Sequence, residues 1–381
     1  MTPEPKHPPI VPSYGAATLA DLSSSMLASL DPGAPESQNV LGLPAAQRAC
    51  LLVVDGLGWE LLRDHPAVAP FLSELARNSK PITAGFPSTT VTSLGSICTG
   101  RPPGQHGILG YQVIIPGENR LLNGLRWDAK VDPLRWQPLP TIYERATAAG
   151  IAAVHVAQGA FRGTGLTVAT MRGAEFRPAD SMGALAAQAA AAIWENGRAF
   201  VTVYHGDLDN TGHMFGVASD AWYNQLAHVD KLAEQLALAL PSGTRMYVTA
   251  DHGMVDIGPD DKFDIDATPE LRDGLALLGG EPRARHLYAA PGAAADLLAT
   301  WRDVLGDRAW VLPKDEAIKE GWFGPVEPAM AERIGDVIAA PAGNLALVAT
   351  EAEPRESRLF GMHGSLTSAE QFVPALAFAA T

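Results

Sequence analysis

Short apolar runs punctuate the chain, each ended by polar residues or glycine: ACLLVVDGLG (49–58), IAAVHVAQG (151–159), AFVTVYHGDLD (199–209) and RMYVTADHG (245–253). Their length and β-branched content predict strands buried on both faces. Between them lie stretches of helical pattern: WELLRDHPAVAPFLSELARN (59–78), TIYERATAAG (141–150), SMGALAAQAAAAIWENG (181–197) and DAWYNQLAHVDKLAEQLALAL (220–240). Strands alternating with helices predict an α/β fold, a mostly parallel central sheet flanked by helices. The pattern then changes. ARHLYAAPG, AAADLLATWRDVLG and RAWVLPK read strand–helix–strand on their own, which predicts a small inserted α+β subdomain. GDVIAAPAGNLALVA (335–349) is expected to return to the main sheet. The expected division is an N-terminal arm over 1–40, Pro-rich and extended to about residue 15, a core over 41–260 and 335–381, and a cap-like insert over 261–334.

Composition narrows the function classes. A chain of 381 residues can bury a large core, and its net charge of −14 argues against general affinity for nucleic-acid duplexes or anionic membranes. A local cationic site supplied by bound metal ions remains compatible with that charge. The two cysteines, Cys50 and Cys98, make neither a disulfide framework nor a cysteine-rich zinc module. The start MTPEPKHPPIVPSYG lacks a secretory pattern, and ALAAQAAAAIW (184–194) is too short to span a bilayer, so a cytoplasmic protein is expected.

The chemistry gathers where the strands end. LLVVD stops at Asp55, FVTVYHGDLD at Asp207 and Asp209, and MYVTAD at Asp251, with His252 next. In open α/β sheets, ligands bind beyond the carboxyl ends of the strands. Each aspartate alone is also compatible with a helix cap or a turn. Asp55, Asp209, Asp251 and His252, together with His213 in DNTGH and His363 in GMHGSLT, form six nitrogen and oxygen ligands without cysteine, a set that suits zinc or manganese. Six are too many for one open catalytic zinc and match two metals with three ligands each. Unpaired carboxylates in one cleft would repel, and divalent cations remove that cost. His65 falls in a surface-like helical segment and His228 on an amphipathic helix, while His155 reads as core and His106 as a loop residue that packs. A G-x-S-x-G elbow and a Walker-type loop are both missing from the sequence.

The pieces VVDGLGWELL, FPSTTVTSLGSICTGRPPGQHGILG, YHGDLDNTGHMFG, VTADHGM and MHGSLT, which span 51–366, resemble in order the motifs of the alkaline phosphatase superfamily. The resemblance is strongest to its nucleotide pyrophosphatase/phosphodiesterase branch. It implies Asp55, Thr90, Asp251 and His252 around one divalent metal and Asp209, His213 and His363 around the other, zinc first and manganese as the alternative. It also implies Thr90 as the nucleophile, a phospho-threonine intermediate, and a small-molecule phosphoester or nucleotide as substrate. After the nucleophile the family commonly carries Pro and a phosphate-binding Asn, where this chain has Thr92 and Ser93. Ser93 is thus a shorter-reaching phosphate donor, with the Val91 amide as a second. Near this segment stand Tyr111, Trp127, Trp136 and Tyr143; with Asn123 and Arg126, Trp127 is a candidate pocket wall that stacks on a nucleobase. The alternatives are a phosphomonoesterase or phosphonate or sulfate ester hydrolase of the same superfamily, and a non-catalytic phosphoester-binding protein. The sequence does not specify an oligomeric state.

Overall fold

A computed structural model describes residues 7–33 and 38–380; residues 1–6 and 34–37 of the expected arm, and residue 381, lie outside the described residues. The central sheet has six strands in the spatial order Ala375–Ala379, Thr244–Thr249, Arg48–Val54, Ala199–His205, Ala152–Ala157, Glu175–Pro178. Neighbours run parallel except Ala375–Ala379, which lies antiparallel on Thr244–Thr249. Arg48–Val54 and Ala199–His205 are buried along almost their whole length, as expected for strands covered on both faces by helices. Helices Met182–Trp194 and Leu19–Leu30 both pack on these strands. Leu19–Leu30 falls within the expected arm. A capping box of Thr18 and Asp21 opens it, and Ser23 and Ser29 donate back to the carbonyls of Ala20 and Met26. No helix among the described residues is long and apolar enough to cross a membrane.

Three local expectations are corrected. The helical pattern over 59–78 divides into Trp59–Asp64 and Pro70–Ala76, because Pro66 cannot donate to a helical bond and disfavours helix at His65. The run at 199–209 leaves the sheet after His205, and Asp207–Phe215 is a helix. Residues 335–349 do not return to the main sheet. Val337–Pro341 instead pairs antiparallel with Ala284–Ala289 and Ala309–Pro313, in a second sheet completed by Leu275–Glu281. Its alternate residues explain the misreading. Ile338 and Ala340 join the main core, while Val337 and Ala339 join a separate core with Leu297, Trp301 and Leu305. A strand buried on both faces reads alike in either sheet. The strand returning to the main sheet is Ala375–Ala379.

Candidate active site

Parallel register brings the strand-end carboxylates to one rim. Val54 lies opposite His205, and Val53 opposite Thr249, so Asp55 and Asp251 emerge side by side. The Asp55 amide donates to His205 O (3.0 Å). Beyond Gly206 the helix Asp207–Phe215 begins, and its Asp209 and His213, four residues apart, share a face. Gly56 has φ 76°, and a Cβ there would lie 3.1 Å from Asp209 Cα. Glycine is needed at 56 so that the Asp55 turn can press against the Asp209 helix.

Two candidate ligand sets result. In Asp55, Asp251 and His252 the donor atoms all lie within 4.8 Å of one another, and the same holds for Asp209, His213 and His363. The His252 and His363 rings stack at 3.5 Å, which makes the sets neighbours. The carboxylates are each pinned through one oxygen and present the other. Asp55 Oδ2 accepts from the Tyr204 hydroxyl, Asp251 Oδ1 from the amides of Gly56 and His252 (both 3.1 Å), and Asp209 Oδ2 lies 3.2 Å from His213 Nε2. Asp55 Oδ1, Asp251 Oδ2 and Asp209 Oδ1 are buried without a hydrogen-bond partner. The three histidines are held from behind. Nδ1–H donates to Gly361 O from His213 (2.7 Å), to Ser88 O from His363 (3.0 Å) and to Gly253 O from His252 (3.0 Å). In the neutral ring this leaves Nε2 as the lone-pair atom, the arrangement of metal-bound histidines. Orphaned carboxylate oxygens and oriented Nε2 atoms fit a divalent cation in each set.

Electrostatics agree. Burial, then the charges of Asp251 and Asp209, push Asp55 well above the usual carboxylate range; burial also raises Asp251. Burial opposes charge on His213, but Asp209 outweighs it and holds the imidazole up at about 9. Burial and the neighbouring His252 drive His363 well down. These are groups whose proton affinities a cation would reset.

Thr90 opens the helix Thr90–Thr99, and its Oγ1 lies 3.2 Å from His252 Nε2. Thr89, at the N-cap, makes no side-chain cap. Its hydroxyl donates instead to Glu281 Oε2 (3.2 Å), leaving the first-turn amides available to an anion. A cleft of about 360 Å³ exposes Thr89, Thr90, Val91, Asp209, His213 and His363, with Tyr111, Arg126 and Glu281 on its walls. Glu281 was not foreseen. It ends a strand of the second sheet, its Oε1 is buried without a partner, and burial pushes its carboxyl up to about 8. An acidic residue before a Pro turn (EPR, 281–283) carried no local sign of a site.

The other candidates separate. Ser93 is fully buried behind the first turn, its hydroxyl unpartnered, and it does not line the cleft. Trp127 is not brought to the cleft either. Its indole donates to Val131 O (2.8 Å), packs edge-on against Trp136 and fills the space over Gly165. Tyr111 reaches the cleft, where its hydroxyl donates to Glu356 (3.3 Å); Tyr143 and Trp136 are core. Asn123 holds the Leu125 and Arg126 amides and so shapes the wall. His106 is buried against Ser96, and His65 packs on Trp222 and Tyr223.

Residues 49–366 match the family model of type I phosphodiesterases / nucleotide pyrophosphatases. No curated protein matches by sequence search. Among solved structures, human ectonucleotide pyrophosphatase/phosphodiesterase 5 is similar at 18% identity, with a TM-score of 0.68 and 87% of each chain covered. The murine counterpart, an inactive threonine-to-alanine variant in complex with AMP, gives 17%, 0.69 and 87% of each chain. Phosphonoacetate hydrolase from Sinorhizobium meliloti 1021, in complex with phosphonoformate, gives 19% and 0.67, covering 88% of this chain and 90% of that one.

Proposed function

The chain belongs to the type I phosphodiesterase / nucleotide pyrophosphatase family, whose members are phosphoester hydrolases, and from that premise we propose that it cleaves phosphate diesters or nucleotide pyrophosphate bonds through a phospho-threonine on Thr90. The observation that carries this reading is the Thr90 hydroxyl, 3.2 Å from His252 Nε2, at an uncapped helix N-terminus between two sets of orphaned ligands. The threonine-to-alanine change in the inactive murine relative supports it, as does the AMP bound there.

Asp55, Asp251, His252 and Thr90 would hold one divalent ion, and Asp209, His213 and His363 the other, zinc by donor type and manganese as second choice. When bound, the ions supply Lewis acidity that lowers the pKa of a hydroxyl or water and offsets charge on phosphate oxygens. The chain's own residues do the rest. Thr90 Oγ1 attacks phosphorus, so that the Thr90 O–P bond forms and the ester P–O bond breaks. Water then cleaves the Thr90 O–P bond and returns the hydroxyl. The first-turn amides, that of Val91 among them, favour the phosphate. Tyr204 holds Asp55, and the backbone carbonyls behind His213, His252 and His363 keep the rings aimed.

The test uses purified protein with zinc restored. Bis(4-nitrophenyl) phosphate is expected to turn over at least about tenfold faster than 4-nitrophenyl phosphate, about 1.4 kcal/mol in barrier. Faster turnover of the monoester, or of phosphonoacetate, would replace this reading with a phosphomonoesterase or phosphonate hydrolase. Chelation is expected to abolish turnover, and elemental analysis of the reloaded protein to show two ions per chain. Zinc added to the chelated protein should raise its unfolding free energy by about 2.7 kcal/mol for each of the two sites at a hundred times its dissociation constant, read by denaturant titration.

A further inference from the structure

Helices of this chain commonly open on a serine or threonine that caps its own helix. Thr18, Thr141, Thr164, Ser181 and Ser219 each accept, through the side chain, from the third helical amide. Thr89 stands at the same position before Thr90–Thr99 and has the same extended backbone, φ −137° and ψ 148° against −140° and 155° at Ser181. The backbone therefore permits a cap, and none is made. The amides of Thr90, Val91 and Thr92 have no hydrogen-bond partner among the described residues.

The difference lies in Glu281. Its Oε2 takes the Thr89 hydroxyl (3.2 Å) and so fixes the side chain away from the Thr92 amide. Thr367 shows the same diversion by a carboxylate: its hydroxyl donates to Glu370, and it caps nothing. Glu281 is itself held in place. It ends the strand Leu275–Glu281 opposite Ala284, and the loop carrying His363 lies directly on it, since a Cβ at Gly364 would stand 3.1 Å from Glu281 Cδ. The residue lines the cleft beside Thr89 and Thr90, is 8% exposed, and leaves Oε1 without a hydrogen-bond partner. A buried polar atom left unpaired lowers stability. Folding alone therefore does not call for a carboxyl at this position.

We propose that Glu281 is a positioning residue: by holding the Thr89 hydroxyl it keeps the helix Thr90–Thr99 uncapped, so that the first-turn amides stay free for the phosphate beside Thr90. The proposal rests on the phosphodiesterase reading above and assigns Glu281 a part in the same site. Without this acceptor Thr89 would turn onto the Thr92 amide, as the five capping residues do, and an arriving phosphate would have to displace it. A cap of ordinary strength corresponds to about a fivefold loss of phosphate affinity.

Calorimetry with inorganic phosphate on the zinc-loaded protein tests this, with elemental analysis of each variant. Glu281→Met, similar in size but without an oxygen, is expected to bind phosphate about fivefold more weakly at unchanged zinc content. Glu281→Gln keeps an oxygen for Thr89 and should stay within about twofold of the parent. The deciding comparison is made in Thr89→Val, which has no hydroxyl to turn. Adding Glu281→Met to that variant should change its phosphate affinity by less than about twofold. A direct contact between Glu281 and phosphate, or damage to the fold, would instead weaken binding in both backgrounds. Glu281→Ala serves if the methionine variant fails to fold. Unchanged binding in Glu281→Met, an equal loss with valine at 89, an equal loss in Glu281→Gln, or zinc lost with the methionine change overturns the proposal. Phosphate binding by the unaltered protein then leaves the phosphodiesterase reading standing. Failure of the unaltered protein to bind phosphate overturns both.

Discussion

Replacing Thr90 with alanine is expected to lower diester turnover by roughly four to six orders of magnitude, the scale on which removal of a catalytic nucleophile acts. Metal content should change little, because Asp55, Asp251 and His252 keep their positions without it. Asp251 is held by two amides, Asp55 by Tyr204, and His252 by Gly253 O. Thr90→Ser should retain measurable turnover, since the hydroxyl survives at the same helix position. Activity in the alanine variant within tenfold of the parent, with both ions bound, would place the nucleophile elsewhere. Neighbouring hydroxyls make this a sharp comparison: Ser88 donates to Ser365 O and Thr89 to Glu281, so the equivalent alanine changes there should fall far short of the Thr90 effect.

Arg283→Met is expected to cost about 3–5 kcal/mol in unfolding free energy, the usual penalty for leaving one partner of a buried ion pair alone. Arg283 sits in the turn of the second sheet's hairpin and reaches Glu370 through Nε (3.0 Å) and Nη2, with both side chains fully buried. Glu370 also accepts from the Ser365 amide (2.9 Å) and the Thr367 hydroxyl, and its backbone oxygen takes the Gly253 amide (2.9 Å). A Cβ at Gly253 would lie 1.9 Å from Ala369 O, so this turn bears directly on the segment that carries His252. The unpaired carboxylate would therefore disturb the His252 and His363 loops together. The double change Arg283→Met with Glu370→Met should recover most of the stability, because two well-packed apolar chains often replace a buried pair without loss. Denaturant unfolding of the two variants checks both points; a single variant within about 1 kcal/mol of the parent would show the pair to be dispensable.

That the candidate ligand residues come together was legible because sheet topology does the assembling. Asp55 and Asp251 end parallel strands that neighbour each other, and Asp209 and His213 share a helix face four residues apart. Such spacings survive errors of several residues in element boundaries. Glu281 was opaque for the opposite reason: a different sheet, joined to the core only through tertiary folding, brings it to Thr89. Aromatic residues near the nucleophile segment were ambiguous. Nothing local distinguishes Trp127, spent on Trp136 and Val131, from Tyr111, which faces the cleft. His155 read as core from its apolar strand, and burial bears that out. Val337–Pro341 marks a further limit, since burial on both faces says nothing about which sheet a strand joins.

His363 is translated after the other six proposed ligands, and Glu370 follows it. Ribosomal synthesis runs at about 5–20 residues per second and lets earlier segments fold first. Asp55, Thr90, Asp251 and His252 can thus meet while the Asp209 and His213 pair still lacks its third member and the turn that braces Gly253 is unmade. Nascent chains would carry a half-built centre until those late residues emerge.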